Sequence, residues 1–259
     1  MPDLTPCNPL DRFMGLAQVY ARCRPSYPTA AVQRIISQTG IGRDSLLVDV
    51  GSGTGISSRL FAERGIPVIG VEPNEEMRQV AEAEPWPLEL PKPRYQAGQA
   101  EMTGLADVTA DVVLAAQAFH WFQPEAALRE FHRILKLGGW AALLWNERDE
   151  NDAFTAAYGE VVRSSPNAAA VETPRRKAGE PLLRSPLFQR GERVAFHYEQ
   201  VVDEEALLGR AFSASYAPRD PQGREAFADS LRKVFTRFAK NGTVAIQYET
   251  SLYLAQKAG

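Results

Sequence analysis

Three glycines in five residues, Gly51, Gly53 and Gly55, follow the apolar run at 46–50, and an acid, Glu72, closes a second apolar run 17 residues beyond Gly55. Glycine weakens helices and strands, so its repetition after a strand points to a sharp turn and a backbone that must come close to something else. A helix starting just after such a loop directs its first N–H groups, and the positive end of its dipole, at whatever lies above. An anion or the carboxylate of a zwitterion would be held there. The two acceptor oxygens of Glu72, at the end of the neighbouring strand, suit the paired hydroxyls of a ribose. The spacing is G-x-G-x-G, however, with Ile56 where a dinucleotide fingerprint has its third glycine.

The elements that would position these residues can be read from hydrophobic periodicity. From Ser45 to Asn146 short apolar runs alternate with amphipathic stretches, the pattern of a parallel sheet wrapped by helices. Strands are expected at 46–50, 67–71, 94–98, 111–116 and 140–145, several of them apolar almost throughout, as strands covered on both faces must be. Asn74 is expected to cap a helix from Glu75, and the helix opening at Pro124 is expected to end at Gly138-Gly139. The stretch from Glu84 to Arg94 holds four prolines and is expected to be loop. After Asn146 helical stretches alternate with strands near 193–202 and 243–257, so the late helices read as an insertion beside the C-terminal edge of the sheet.

Composition bounds the function. With 259 residues, 44% of them hydrophobic, the chain can bury a large core. A net charge of −3 supplies no field for a phosphate backbone, and the one tight basic cluster, Arg175-Arg176-Lys177, is short, so no nucleic-acid partner is expected. Two cysteines, Cys7 and Cys23, fit a reducing compartment. No run spans a bilayer and no leader is evident, so a cytoplasmic chain without a membrane is expected. No His/Cys/Asp/Glu spacing suggests a metal. Nothing in the sequence fixes an oligomeric state.

The segment "VDVGSGTG", with "VIGVEPNEEM" after it, resembles the class I S-adenosylmethionine-dependent methyltransferases over about residues 46–146. "AGQAEMTGL" (97–105) resembles their adenine-bordering stretch, "DVVLAAQAFHWF" (111–122) their fourth strand and substrate-facing loop, and "LKLGG" their turn into the fifth strand, with Leu137 in place of proline. More narrowly, "YARCRPSYP" and "AQAFHWF" are similar to a small-molecule branch that includes trans-aconitate methyltransferase-like proteins.

The resemblance implies a Rossmann-like α/β sandwich: a mostly parallel seven-stranded sheet with an antiparallel C-terminal strand and a helical insertion after the fifth strand. It implies an arm at 1–44, a cofactor core at 45–146 and the remaining strands with a helical lid at 147–259. S-adenosylmethionine is the implied cofactor and a small molecule the methyl acceptor. Gly51, Gly53 and Gly55 would lie against the cofactor's amino-acid end and Glu72 on its ribose. Met77, Ala100 and Glu101 would border the adenine, and Tyr20, Arg24 and Gln117 would close the methionyl side, with Tyr27 beside them. His120, just past the fourth strand, would orient or deprotonate the acceptor, and Trp121 and Phe122 would wall the acceptor pocket.

Two other readings share the glycine loop: a nicotinamide-dependent oxidoreductase, which lacks here both its glycine spacing and a Tyr-x-x-x-Lys pair, and a nucleoside-binding protein without catalysis. A DNA amino-methylating enzyme would carry an Asn/Asp-Pro-Pro-aromatic run where "AAQAFHW" stands.

Overall fold

The computed structural model describes residues 23–165, 177–214 and 217–259. Helix α1 (Thr29–Thr39) ends at Gly40 in the left-handed region and leads into β1 (Leu47–Val50). There follow α2 (Ile56–Ala62), β2 (Val68–Val71), α3 (Glu75–Ala83), β3 (Arg94–Gln96), β4 (Ala110–Ala116), α4 (Pro124–Ile134) and β5 (Leu135–Arg148). The rest comprises α5 (Ala153–Arg163), α6 (Glu180–Arg184), β6 (Phe188–Val202), α7 (Glu204–Phe212), α8 (Pro221–Phe238) and β7 (Val244–Lys257).

The seven strands form one sheet in the order β3-β2-β1-β4-β5-β7-β6. β1 to β5 are parallel, with Asp49 of β1 level with Gly70 of β2 and Leu114 of β4, and the C-terminal strands run antiparallel. The order reverses at β1, whose two neighbours leave in opposite directions; the carboxyl end of such a strand is where open α/β sheets bind ligands.

Contacts divide the chain into two compact units. In the described part of one, 26–145, 177–196 and 250–259, alternate residues of β1 face opposite cores. Val48 and Val50 pack with Phe131 and Ile134 of α4, while Leu47 packs with Val32 and Ile35 of α1 and Phe61 of α2. The other, in its described residues 23–25, 146–165, 197–214 and 217–249, has its own core of Phe154, Tyr158, Leu207, Leu231 and Ile246.

One expectation is corrected and one is extended. α4 does not run to Gly138-Gly139: Leu135 is extended (φ −69, ψ 137) and pairs with Ala110, so the chain passes directly from helix to strand. The glycines fall within β5, with Gly138 at φ 77, where the register shifts between the Ala110 and Val112 pairings. The late helices are two insertions, α5 and α6 between β5 and β6, and α7 and α8 between β6 and β7.

Candidate active site

The glycine loop leaves β1 with Gly51, Gly53 and Gly55 at φ 72, 55 and 79, a left-handed conformation that side chains disfavour. Their surroundings differ. A Cβ on Gly51 would stand 2.6 Å from Ala118 Cβ and 3.1 Å from Phe122 Cζ, and one on Gly55 would strike the Tyr95 hydroxyl. Among the described residues nothing lies within 4 Å of a Cβ on Gly53. Of the three, only the absent side chain of Gly53 would meet no described residue; at Gly51 and Gly55 the missing side chain makes room for protein.

Beside Gly53 lies Glu72, 9% exposed at the end of β2. Its Oε2 accepts the Gly53 N–H at 2.9 Å and its Oε1 the Asn74 N–H at 2.9 Å. Burial pushes this carboxyl above its ordinary range, against the pull of those two N–H groups and of Arg78. Asn74 caps α3 as expected, its Oδ1 accepting the Met77 N–H at 3.0 Å, and Met77 itself is buried.

Asp49, beneath the loop, was not singled out by sequence reasoning. It is fully buried, and Oδ2 accepts both Ser57 Oγ at 2.7 Å and Ser58 Oγ at 2.6 Å, which ties β1 to the first turn of α2. Burial raises its pKa to about 6, the serine hydroxyls opposing. Its other oxygen, Ser52 Oγ and Thr54 Oγ1 are buried without a hydrogen-bond partner among the described residues. A lone acid within a strand buried on both faces was the available signal. Tyr95 of β3 lies under the same loop, its ring also filling the space a side chain on Gly70 would take, and burial pushes its hydroxyl up to about 12.

The stretch 97–105 is fastened to α4. Glu101 Oε1 accepts the Gln123 N–H at 2.7 Å, and Glu130 Oε1 accepts the Thr103 N–H at 2.8 Å and hydroxyl at 2.6 Å. Burial alone would raise the Glu130 carboxyl; Arg133 and Thr103 outweigh it and bring the pKa to about 2. Ala100 is buried, and Glu101, read as a residue at a ligand's edge, has one oxygen engaged by the start of a helix.

At the end of β4, Gln117 holds φ 55, a conformation rare for a residue with a side chain, while its N–H donates to Leu144 O at 2.8 Å. Such local strain clusters at functional sites. A short 3-10 turn, Phe119–Trp121, then carries His120. The indole N–H of Trp145, itself fully buried, donates to His120 Nδ1 at 3.5 Å, and the Trp121 ring lies 4.8 Å from the imidazole. Phe122 packs edge-on to Phe119 at 5.7 Å and against the Gly51 backbone, so it belongs to the wall of the glycine loop.

The structure thus brings together Gly51, Gly53, Gly55, Glu72 and, through Phe122 and Ala118, the turn carrying His120. Tyr20 falls outside the described residues. Arg24 belongs to the second unit, where its Nη2 donates to Ser213 O at 3.1 Å, and Tyr27 is buried among core residues of α1. Among the described residues no group of three or more His, Cys, Asp or Glu could hold a metal, and no helix is long and apolar enough to cross a membrane.

Comparison with known proteins bears on what this geometry serves. Residues 48–143 match the family model of a methyltransferase domain. An uncharacterized methyltransferase of Mycobacterium tuberculosis is 31% identical over 247 residues, 92% of each chain. The chain belongs to the class I S-adenosylmethionine-dependent methyltransferases. This methyltransferase also resembles the malonyl-[acyl-carrier protein] O-methyltransferase of Serratia marcescens, 29% identical over 143 residues, 52% of this chain and 54% of that one. Its fold is shared with a solved putative methyltransferase from an antibiotic biosynthesis pathway of Anabaena variabilis (TM-score 0.62, 22% identity, 89% of this chain and 98% of that one). Family membership sets aside the oxidoreductase reading of the glycine loop.

Proposed function

We propose that this methyltransferase binds S-adenosylmethionine at the carboxyl ends of β1 and β2 and transfers its methyl group to a small-molecule acceptor. The observation that carries the reading is the juxtaposition of Gly53, whose absent side chain would meet no described residue, with the Glu72 carboxylate, 2.9 Å from the Gly53 N–H. Each carboxylate oxygen retains a lone pair beyond its backbone hydrogen bond, which suits two ribose hydroxyls. The buried Oδ1 of Asp49 and hydroxyls of Ser52 and Thr54, without a partner among the described residues, give the loop further polar atoms to answer an ammonium and a carboxylate.

In this reading Gly51, Gly53 and Gly55 shape the seat of the amino-acid end, Met77 and Ala100 border the adenine, and Gln117 reaches the methionyl end. His120 and Trp121 face the acceptor. When bound, the sulfonium supplies an already activated methyl for in-line displacement. The chain's own task is then positioning, and a well-oriented pair of reactants lowers a barrier by roughly 7–11 kcal/mol.

The small-molecule acceptor is supported by the acidic charge balance and by the activity that the Serratia relative is named for. A cytoplasmic location rests on the sequence. Calorimetric titration with S-adenosylmethionine and its demethylated product, on the wild type and on Glu72→Ala, tests the cofactor assignment. No heat of binding to the wild type overturns it. A screen of metabolites for transfer of a labelled methyl group then seeks the acceptor.

A further inference from the structure

Helix α4 begins without a cap of its own. Gln123, at its N-cap, makes no capping hydrogen bond with its side chain, and Pro124 at the first helical position has no N–H to satisfy. The Gln123 N–H goes instead to Glu101 Oε1 at 2.7 Å, a carboxylate brought from 22 residues away to the positive end of the helix. Two further ties fasten the same stretch along the helix, Thr103 to Glu130 and Arg133 Nη2 to Leu105 O at 2.8 Å. At its other side, Gln123 directly follows Phe122, whose ring rests against Gly51, and the turn carrying His120.

We propose that Glu101 is a positioning residue: its carboxylate caps α4 from outside and thereby couples the loop at 97–105 to the acceptor-facing turn at 118–122. The inference rests on the cofactor reading above, in which 97–105 borders the adenine, and it moves Glu101 from contact with the adenine to the link between the two sides. A ligand that orders 97–105 stabilises the Glu101 to Gln123 bond, and with it the start of α4 and the turn that precedes it. Coupling between sites requires such an element, shared by both. A carboxylate is suited because charge at a helix N-terminus strengthens the bond, while an amide oxygen can still accept it.

Amide hydrogen exchange on wild type, Glu101→Ala and Glu101→Gln, with and without S-adenosylhomocysteine, tests the coupling. The expected result is that the compound protects both 97–105 and 118–123 in the wild type. In Glu101→Ala protection remains at 97–105 and is lost at 118–123, and Glu101→Gln recovers most of it. Without ligand, exchange at Gln123 rises roughly five- to tenfold in Glu101→Ala, as loss of a helix cap implies. Calorimetry with the adenosyl compound and with its inosine counterpart, which lacks the 6-amino group, separates the alternatives. If Glu101→Ala weakens only the adenosyl compound, Glu101 touches the adenine and the proposal is wrong. Unchanged protection at 118–123 in Glu101→Ala overturns the coupling alone, whereas a wild type that binds neither compound overturns the cofactor reading beneath it.

Discussion

The Gly53 N–H and the Glu72 carboxylate, 19 residues apart in the chain, meet at 2.9 Å beside the one glycine of the loop whose absent side chain would meet no described residue. A second N–H, that of Asn74, holds the other oxygen, so both carboxylate oxygens are aimed before any ligand arrives. An amide at this position offers one acceptor to two N–H donors and turns its NH2 against the second. Glu72→Gln and Glu72→Ala are therefore both expected to weaken S-adenosylmethionine about 10- to 100-fold, the range for hydrogen bonds to a charged group. Because burial raises the Glu72 pKa, affinity should decline on acidification sooner than an exposed glutamate would dictate. Calorimetric affinities across pH measure both effects, and equal affinity in wild type and Glu72→Ala would remove Glu72 from the site.

The glycines should separate by phenotype. Gly53→Ala places a methyl where no described residue stands, at φ 55, which costs about 1–2 kcal/mol of backbone strain and obstructs the ligand's approach. Gly55→Ala carries similar strain at φ 79 and also drives its Cβ into Tyr95, which is walled in by the loop and by β2. Thermal melts should show the larger loss in Gly55→Ala, while ligand affinity should show the larger loss, per degree of stability lost, in Gly53→Ala. A Gly53→Ala chain that binds S-adenosylmethionine like the wild type would mean the space above Gly53 is not the ligand's.

Much of the core was legible in the sequence because its signals are local. Apolar runs bounded by turn residues marked the strands, and Asn74 and Pro124 marked helix starts where their side chains satisfy or dispense with backbone N–H groups. The glycine loop and Glu72 were legible for the same reason, a fixed spacing across one βαβ unit. The end of α4 was not, since whether Leu135 continues the helix is decided by its pairing with Ala110 on a strand formed elsewhere. The division of labour among the glycines was equally hidden: it depends on Tyr95 from β3 and Phe122 beyond β4, neither of which any local pattern connects to residues 51–55. The bond from the Gln123 N–H to Glu101 was hidden as well, because its donor is a backbone group 22 residues away that no side-chain pattern marks.

Asp49 should leave a signature in stability against pH. Its carboxyl rises from an ordinary 3.8 to about 6 in the folded chain, so between those values the folded state holds a proton that the unfolded state has lost. Stability from this group is therefore full at low pH and falls as pH rises from about 4 to about 6. The loss is roughly 3 kcal/mol, since each tenfold difference in proton affinity between the two states is worth about 1.4 kcal/mol. Glu130 acts in the opposite sense and at lower pH, its pKa being depressed to about 2, so its contribution is lost as pH falls below about 4.5. In Asp49→Asn the amide oxygen, standing where Oδ2 does, can still accept from both Ser57 and Ser58, and the titrating proton is gone. Urea unfolding at successive pH values should show the slope between pH 4 and 6 largely removed in that variant. A slope equal to the wild type's would place its origin elsewhere.

One of the contacts of His120 is with a group that can only donate. The Trp145 indole N–H lies 3.5 Å from Nδ1, which in a neutral imidazole leaves the proton on Nε2. In that tautomer Nε2 carries the proton, and in the proposed site the imidazole would orient an acceptor or stabilise negative charge on it rather than remove a proton. His120→Gln, whose amide can also donate, is then expected to retain more turnover of a verified acceptor than His120→Ala, which should lose about 10- to 100-fold for one charge-assisted bond. Trp145→Phe frees the tautomer and should lower turnover in the His120 background but add nothing to His120→Ala, a non-additivity that a double-mutant cycle reads directly. Equal loss in His120→Gln and His120→Ala, with an ionisation near neutral pH that disappears in both, would instead make the imidazole a base.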